Sequence, residues 1–167
     1  MKTRLWIPAS LAVALVVGGG AAQVQATPST ATSTVLAQAT VAPIDVTAHN
    51  RTVAGKLWRA ELETHGVSDG YVVDNKFLPG QGTGWHSHPG PSLVFVVSGS
   101  VTNYDSGAPG CAGVTYPAGT SFVDAGGTDV HMLRNNTAAP AETIAVQFIP
   151  NGLPRRVDKP APPRCGG

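Results

Sequence analysis

The chain has 167 residues, of which 42% are hydrophobic and only 13% charged, with 20 glycines and 14 prolines. Its eleven basic and ten acidic residues give a formal net charge of +1, so the charge balance gives no case for nucleic acid or an anionic membrane as a partner. The many Gly and Pro residues, together with the lack of an apolar stripe at helical spacing, argue against a helical fold.

The first 26 residues have the three parts of an export signal. Met1–Arg4 is a short basic head, Leu5–Val17 is an apolar core, and Val24–Ala26 is a small-residue cleavage site. The apolar core is shorter than the ~20 residues that cross a bilayer, which favours a cleaved signal over a membrane anchor. We therefore predict a secreted, extracellular protein of bacterial type that has no membrane partner after cleavage.

The mature chain is predicted to contain a linker, one domain and a tail. Residues 27–42 are rich in Thr, Ser and Ala without a periodic apolar face, which indicates a flexible linker. Residues 43–154 contain short β-branched and aromatic runs separated by Gly and Pro, which indicates an all-β sandwich or barrel. Residues 155–167 form a Pro-rich tail.

The most informative stretch is residues 80–99. His86 and His88 are two residues apart, so on an extended strand both imidazoles point to the same face. Leu93–Val97 follows as a predicted buried strand. A third histidine, His131, lies downstream in another glycine-flanked segment. Two histidines on one strand face and a third from another strand indicate a metal site.

These residues resemble the first motif of the cupin family, which is Gly, five residues, His-x-His, three or four residues, Glu, six residues and Gly. Gly80, His86, His88 and Gly99 match this spacing. Ser92 stands where the family has its glutamate.

The second cupin motif is Gly, five residues, Pro-x-Gly, two residues, His, three residues and Asn. Its matches are Gly119, Gly127, His131 and Asn135, with Ala125 in place of the proline and one extra residue before the histidine. The resemblance covers about residues 70–150 and implies a single-domain double-stranded β-helix, a jelly-roll barrel with the metal inside its mouth.

The ligand set implied by this resemblance is His86, His88 and His131, without the usual carboxylate. Neutral imidazoles suit one divalent transition metal ion (Zn, Fe, Cu, Ni or Mn) and disfavour Mg or Ca. They leave the charge of the ion uncompensated, which favours anionic substrates. Ser92, Asn135 and Gln147 are expected behind the ligands, although Ser92 is also explained as a small polar residue on an inward face and Asn135 as a turn residue.

Two classes of function remain open for this small-molecule site. One is a dioxygenase-like or other Lewis-acid enzyme acting on a small anionic or enolisable substrate, which the intact histidines favour. The other is a non-catalytic ligand-binding or structural cupin, which the missing glutamate favours. No residue pair marks an acid–base couple, so no catalytic residue is assigned. A monomer and a homodimer are both open.

The two cysteines are Cys111 and Cys165. An even number of cysteines in an exported chain predicts a disulfide bond. This bond would tie the Pro-rich tail back across the barrel.

Overall fold

The computed structural model describes residues 25–52 and 54–165 and consists mainly of β-strands. The predicted signal segment, apart from its last two residues, lies outside the described part. The first six strands are β1 (Thr32–Val41), β2 (Asp45–Arg51), β3 (Leu57–Glu63), β4 (Ser68–Phe77), β5 (His86–Ser87) and β6 (Ser92–Ser98). The next six are β7 (Ser100–Asp105), β8 (Gly113–Pro117), β9 (Ser121–Asp124), β10 (His131–Arg134), β11 (Ala141–Pro150) and β12 (Val157–Asp158). Short 3-10 turns occur at Pro109–Cys111 and Pro163–Cys165.

The strands form two five-stranded antiparallel sheets and one separate hairpin. The first sheet has the order β1-β4-β11-β6-β9, and the second has the order β12-β5-β10-β7-β8. Strands β4 to β11 thus follow the jelly-roll order, in which the chain changes sheet at every step except from β7 to β8, and β1 and β12 are added as edge strands. The predicted all-β, double-stranded β-helix fold is confirmed.

The barrel forms because its strands alternate inward and outward side chains. Along β11 the buried positions are Ala141, Thr143, Ala145, Gln147 and Ile149, and the intervening residues are half-buried. One end of the interior is an apolar core. Its buried members are Phe77, Val96, Val101, Leu133 and Ala141. The other end carries the polar residues described below.

The expectation that Leu93–Val97 is a buried strand is only half correct. Val94 and Val96 face the core, whereas Leu93, Phe95 and Val97 are between 39% and 52% exposed. The run is continuously apolar, so its sequence does not reveal that β6 has one solvent-facing side.

The predicted flexible linker over residues 27–42 is wrong for most of its length. Residues 32–41 form β1, which pairs with residues 68–76 of β4 and has a bulge between Val35 and Ala37. The Thr27 hydroxyl also accepts a hydrogen bond from the Trp85 backbone at 2.6 Å. The Thr and Val residues of this segment favour strand. The exposure of nearly all of β1 hides the apolar alternation that usually marks a strand.

The predicted start of the barrel at residue 43 is also wrong. β2 and β3 pair only with each other, as an exposed hairpin outside both main sheets. The barrel instead includes β1, which precedes this hairpin. No helix in the described residues is long and apolar enough to span a membrane.

The C-terminal tail is part of the barrel. Val157 and Asp158 pair with Ser87 and His86, so β12 extends the second sheet beside the histidine strand. The predicted disulfide bond between Cys111 and Cys165 is confirmed, with a Cα–Cα distance of 5.5 Å. The tail is therefore held to the barrel by strand pairing and by a covalent bond.

Candidate metal centre

The three predicted histidines meet inside the barrel mouth. His131 on β10 lies directly opposite His86 on β5, so both side chains enter the same layer. The ring centroids are 4.3 Å apart for His86 and His131, 5.1 Å for His88 and His131, and 6.0 Å for His86 and His88. All three side chains are buried. Their ligand nitrogens lie within 4.8 Å of one another, close enough to hold one ion.

Two glycine carbonyls orient two of the imidazoles. The His86 Nδ1 bonds to the Gly84 carbonyl at 3.0 Å, and the His88 Nδ1 bonds to the Gly90 carbonyl at 2.6 Å. A carbonyl can only accept, so each Nδ1 carries the hydrogen and each Nε2 is left as the metal-binding nitrogen. A Cβ on Gly84 would overlap the Thr27 carbonyl oxygen, and one on Gly90 would overlap that of Phe148. Glycine is therefore required at both positions.

The structure adds a carboxylate that the sequence analysis missed. Asp124, at the end of β9, is buried, and its Oδ2 lies 2.7 Å from the His131 Nε2 and 3.2 Å from the His88 Nε2. Its Oδ1 accepts a hydrogen bond from the Gly126 backbone at 2.9 Å. Asp124 is two residues after Phe122, which packs against the core, so on a strand both side chains point inward. This spacing is the sequence signal that indicates Asp124.

Asp124 also dominates the electrostatics of the group. Burial opposes its ionisation, but the hydrogen bonds from His131 and His88 hold the pKa of Asp124 well below its usual range. Burial likewise opposes protonation of His88, but the bond to Asp124 prevails and raises the pKa of His88. No carboxylate of the described residues forms an ion pair with His86. Burial, with the charges of His131 and Arg156, lowers the pKa of His86 to about 2.

The other predicted residues fall in two places. Ser92 and Gln147 are buried and line the same cavity as the histidines. Asn135 lies in the turn after β10. Its amide donates to the carbonyls of Phe77 and Ala139, and its Oδ1 accepts from Thr137. These bonds use Asn135 to close the turn, away from the imidazole cluster.

A second grouping of possible ligands overlaps the first. Asp124, Asp129 and His131 also have ligand atoms within 4.8 Å of one another. Asp129 is half-buried, and burial followed by the charges of Asp105 and Asp124 raises its pKa. The Nδ1 of His131 is buried and makes no hydrogen bond with the described residues.

The residues present fit a transition metal ion. Two imidazoles offer Nε2 atoms whose opposite nitrogens are already bonded, and the buried carboxylate supplies an anionic oxygen in the same place. The cavity that they line measures about 50 Å³. This is room for a few water-sized groups.

No protein-family model and no curated protein matches the chain. Among solved structures, a double-stranded β-helix protein from Klebsiella pneumoniae is 21% identical over 70% of this chain and 84% of its own, with a TM-score of 0.46. A cupin superfamily protein from Desulfitobacterium hafniense is 11% identical over 75% and 83%, with a TM-score of 0.46. A predicted oxalate decarboxylase from Thermotoga maritima is 21% identical over 50% and 82%, with a TM-score of 0.40. The chain's own strand order and register define its fold, and its own side chains define the site.

Proposed function

We propose that the protein holds one divalent transition metal ion between His86, His88, His131 and Asp124. The convergence of three buried imidazoles and a buried carboxylate on one small cavity supports this proposal. Buried polar groups are destabilising unless they have partners, and a metal ion bound by these four side chains would supply one.

The proposed ligand set has a different charge from the set expected from the sequence. Imidazole nitrogens with one carboxylate oxygen suit Zn, Fe, Cu, Ni or Mn. The aspartate compensates one unit of the ion's charge, so the centre keeps a net charge of about +1 and still attracts an anion. A bound ion of this kind polarises a substrate oxygen or lowers the pKa of its water.

The chain's own residues would orient the metal-binding side chains and line the cavity for the bound molecule. The carbonyls of Gly84 and Gly90 fix the rotation of two imidazoles, and the Gly126 backbone N–H donates to the Asp124 carboxylate and helps to orient it. Val94 and Ala145 contribute apolar wall to the cavity. These roles are the same whether the bound molecule reacts or only binds.

We propose catalysis as the first function, by a secreted oxygenase or other Lewis-acid enzyme acting on a small anionic or enolisable molecule. One observation favours the second candidate, a non-catalytic binding protein. Among the described residues, the titratable side chains lining the cavity are the four proposed ligands and two arginines. These described lining residues include no separate group to carry a proton. The disulfide bond is consistent with export.

Elemental analysis of the mature protein after refolding with divalent metals tests the site. We expect about one ion per wild-type chain and little in His86→Ala, with His65→Ala as the control because His65 is exposed and does not line the cavity. Asp124→Asn should weaken affinity at least tenfold, since even an outer partner of a ligand is worth 10–100-fold. Asp129→Asn should keep the metal. Loss of the metal from this variant would favour the second grouping, Asp124, Asp129 and His131.

The result that overturns the metal proposal is equal metal content in wild type and His86→Ala. An oxygen-uptake and substrate-depletion screen on the loaded protein then separates the two functions. Turnover that disappears in His86→Ala supports the enzyme. Saturable binding without turnover supports the binding protein.

A further inference from the structure

The C-terminal tail brings positive charge to the cavity. Arg155 and Arg156 immediately precede β12, which pairs with the histidine strand β5. Both arginines consequently line the cavity together with the proposed metal ligands. The end of the tail is tied to the barrel by the Cys111–Cys165 bond. The position of the two guanidinium groups is therefore set by the fold.

The two arginines differ in their partners. Arg156 donates from Nε to Asp158 at 2.6 Å and from Nη2 to the Thr83 carbonyl at 2.5 Å, so its charge is compensated. Arg155 is half-buried and makes one side-chain hydrogen bond, from Nη1 to the Gln147 Oε1 at 3.2 Å. No carboxylate of the described residues forms an ion pair with Arg155. A partly desolvated guanidinium without a counter-ion is a site for an anion.

Gln147 adds a second free donor at the same place. Its side chain is only 5% exposed and points inward from β11. Its Oε1 accepts from Arg155, so its amide nitrogen carries two hydrogens, for which no acceptor is found among the described residues. A guanidinium and a neighbouring amide together match the two oxygens of a carboxylate.

The strand register places these donors at a useful distance from the metal ligands. Asp124 is directly opposite Ser92, and Ser92 is directly opposite Gln147, so the three form one inward row across β9, β6 and β11. Two strand spacings separate the backbones of Asp124 and Gln147, roughly 10 Å. A short molecule between them can reach the donors with one end and the metal centre with the other.

We propose that Arg155 and Gln147 bind the carboxylate of a small organic acid that is the ligand of this site. The small volume of the cavity, about 50 Å³, favours a short acid. Binding of the carboxylate end of the acid depends only on Arg155 and Gln147. Binding of its other end at the metal centre rests on the proposed metal function.

Acetate is the probe, and neutral acetamide, which has the same shape, is the control ligand. Titration calorimetry or ligand-observed NMR measures binding to wild type and to Arg155→Met, with metal content determined on every sample. We expect a dissociation constant for acetate in the millimolar range, since the ligand has only four non-hydrogen atoms. The constant should rise at least tenfold in Arg155→Met, and acetamide should bind neither protein measurably.

A second variant protects the test against misfolding of Arg155→Met. Gln147→Glu is nearly isosteric and gives Arg155 an internal carboxylate, so it should also weaken acetate binding at least tenfold. Arg59→Met is the matched control, because Arg59 lies on the exposed β2–β3 hairpin and pairs with Glu61. Its acetate affinity should equal that of wild type.

The outcomes separate this inference from the metal proposal. Equal acetate affinity in wild type, Arg155→Met and Gln147→Glu overturns the inference, as does an absence of acetate binding to wild type. Either result, obtained with full metal content, leaves the metal site standing. Arg155-dependent binding in a chain that takes up no metal supports the anion site and overturns the metal proposal.

Discussion

The metal-free protein should lose stability in mild acid because of His86. The pKa of His86 is about 2 in the folded state, against 6.5 in the unfolded chain, and the main cause of this lowering is burial. The unfolded state therefore takes up a proton first as the pH falls. The contribution of a neutral His86 to stability is complete above pH 6.5 and is lost progressively between pH 6.5 and 2. At pH 5 the loss amounts to about 2 kcal/mol, from 1.36 kcal/mol per pH unit.

The assay is urea unfolding of chelator-treated protein at pH 7.5 and pH 5.0. His88 acts in the opposite sense, because its raised pKa stabilises the fold as the pH falls. His88 is present in both wild type and His86→Asn, so its contribution cancels when the two proteins are compared. We expect wild type to lose about 2 kcal/mol more than His86→Asn between the two pH values. Equal losses in the two proteins would refute the burial argument.

Two further predictions concern stability. Reducing the Cys111–Cys165 bond, which joins residues 54 apart in sequence, should lower the unfolding free energy by about 4 kcal/mol on the chain-entropy account. Thermal melts with and without reductant measure this loss, and an unchanged Tm would contradict the prediction. Phe77→Ala removes a core ring that is 1% exposed and should cost about 3–5 kcal/mol in urea unfolding, whereas Phe95→Ala, at 42% exposure, should cost much less; similar losses would show that the core is assigned to the wrong face.

The sequence predicted the fold where strands have one buried face. β11 is apolar over most of its length, which predicts a strand. In the structure its residues alternate between buried and half-buried, with Ile144, Val146 and Phe148 at half-buried positions. β1 and the β2–β3 hairpin lack this information because nearly all of their residues are exposed. The pairing of β1 with β4 is a long-range contact, and local composition gives no indication of it. The sequence therefore predicted a linker where the structure has an edge strand.

The histidine cluster could be predicted because motif spacing records it, but the charged residues Asp124 and Arg155 were not predicted. Asp124 ends a four-residue strand, and in sequence it resembles a turn residue before Ala125 and Gly126. Arg155 lies in a Pro-rich tail, and only the pairing of β12 with β5 brings it to the cavity. Both residues reach the site through tertiary pairing.

As a proposed ligand, Asp124 would account for the serine in the first motif. In the cupin pattern the carboxylate would extend from residue 92 on β6, and here a carboxylate enters from residue 124 on β9, its direct cross-strand partner. Side chains at such a pair share one face and lie within about 5.5 Å of each other, so either strand can deliver an oxygen to the same layer. Two carboxylates there would repel each other, which favours a small neutral residue opposite Asp124. The anionic oxygen of the site can thus move to the neighbouring strand while the three imidazoles stay in place.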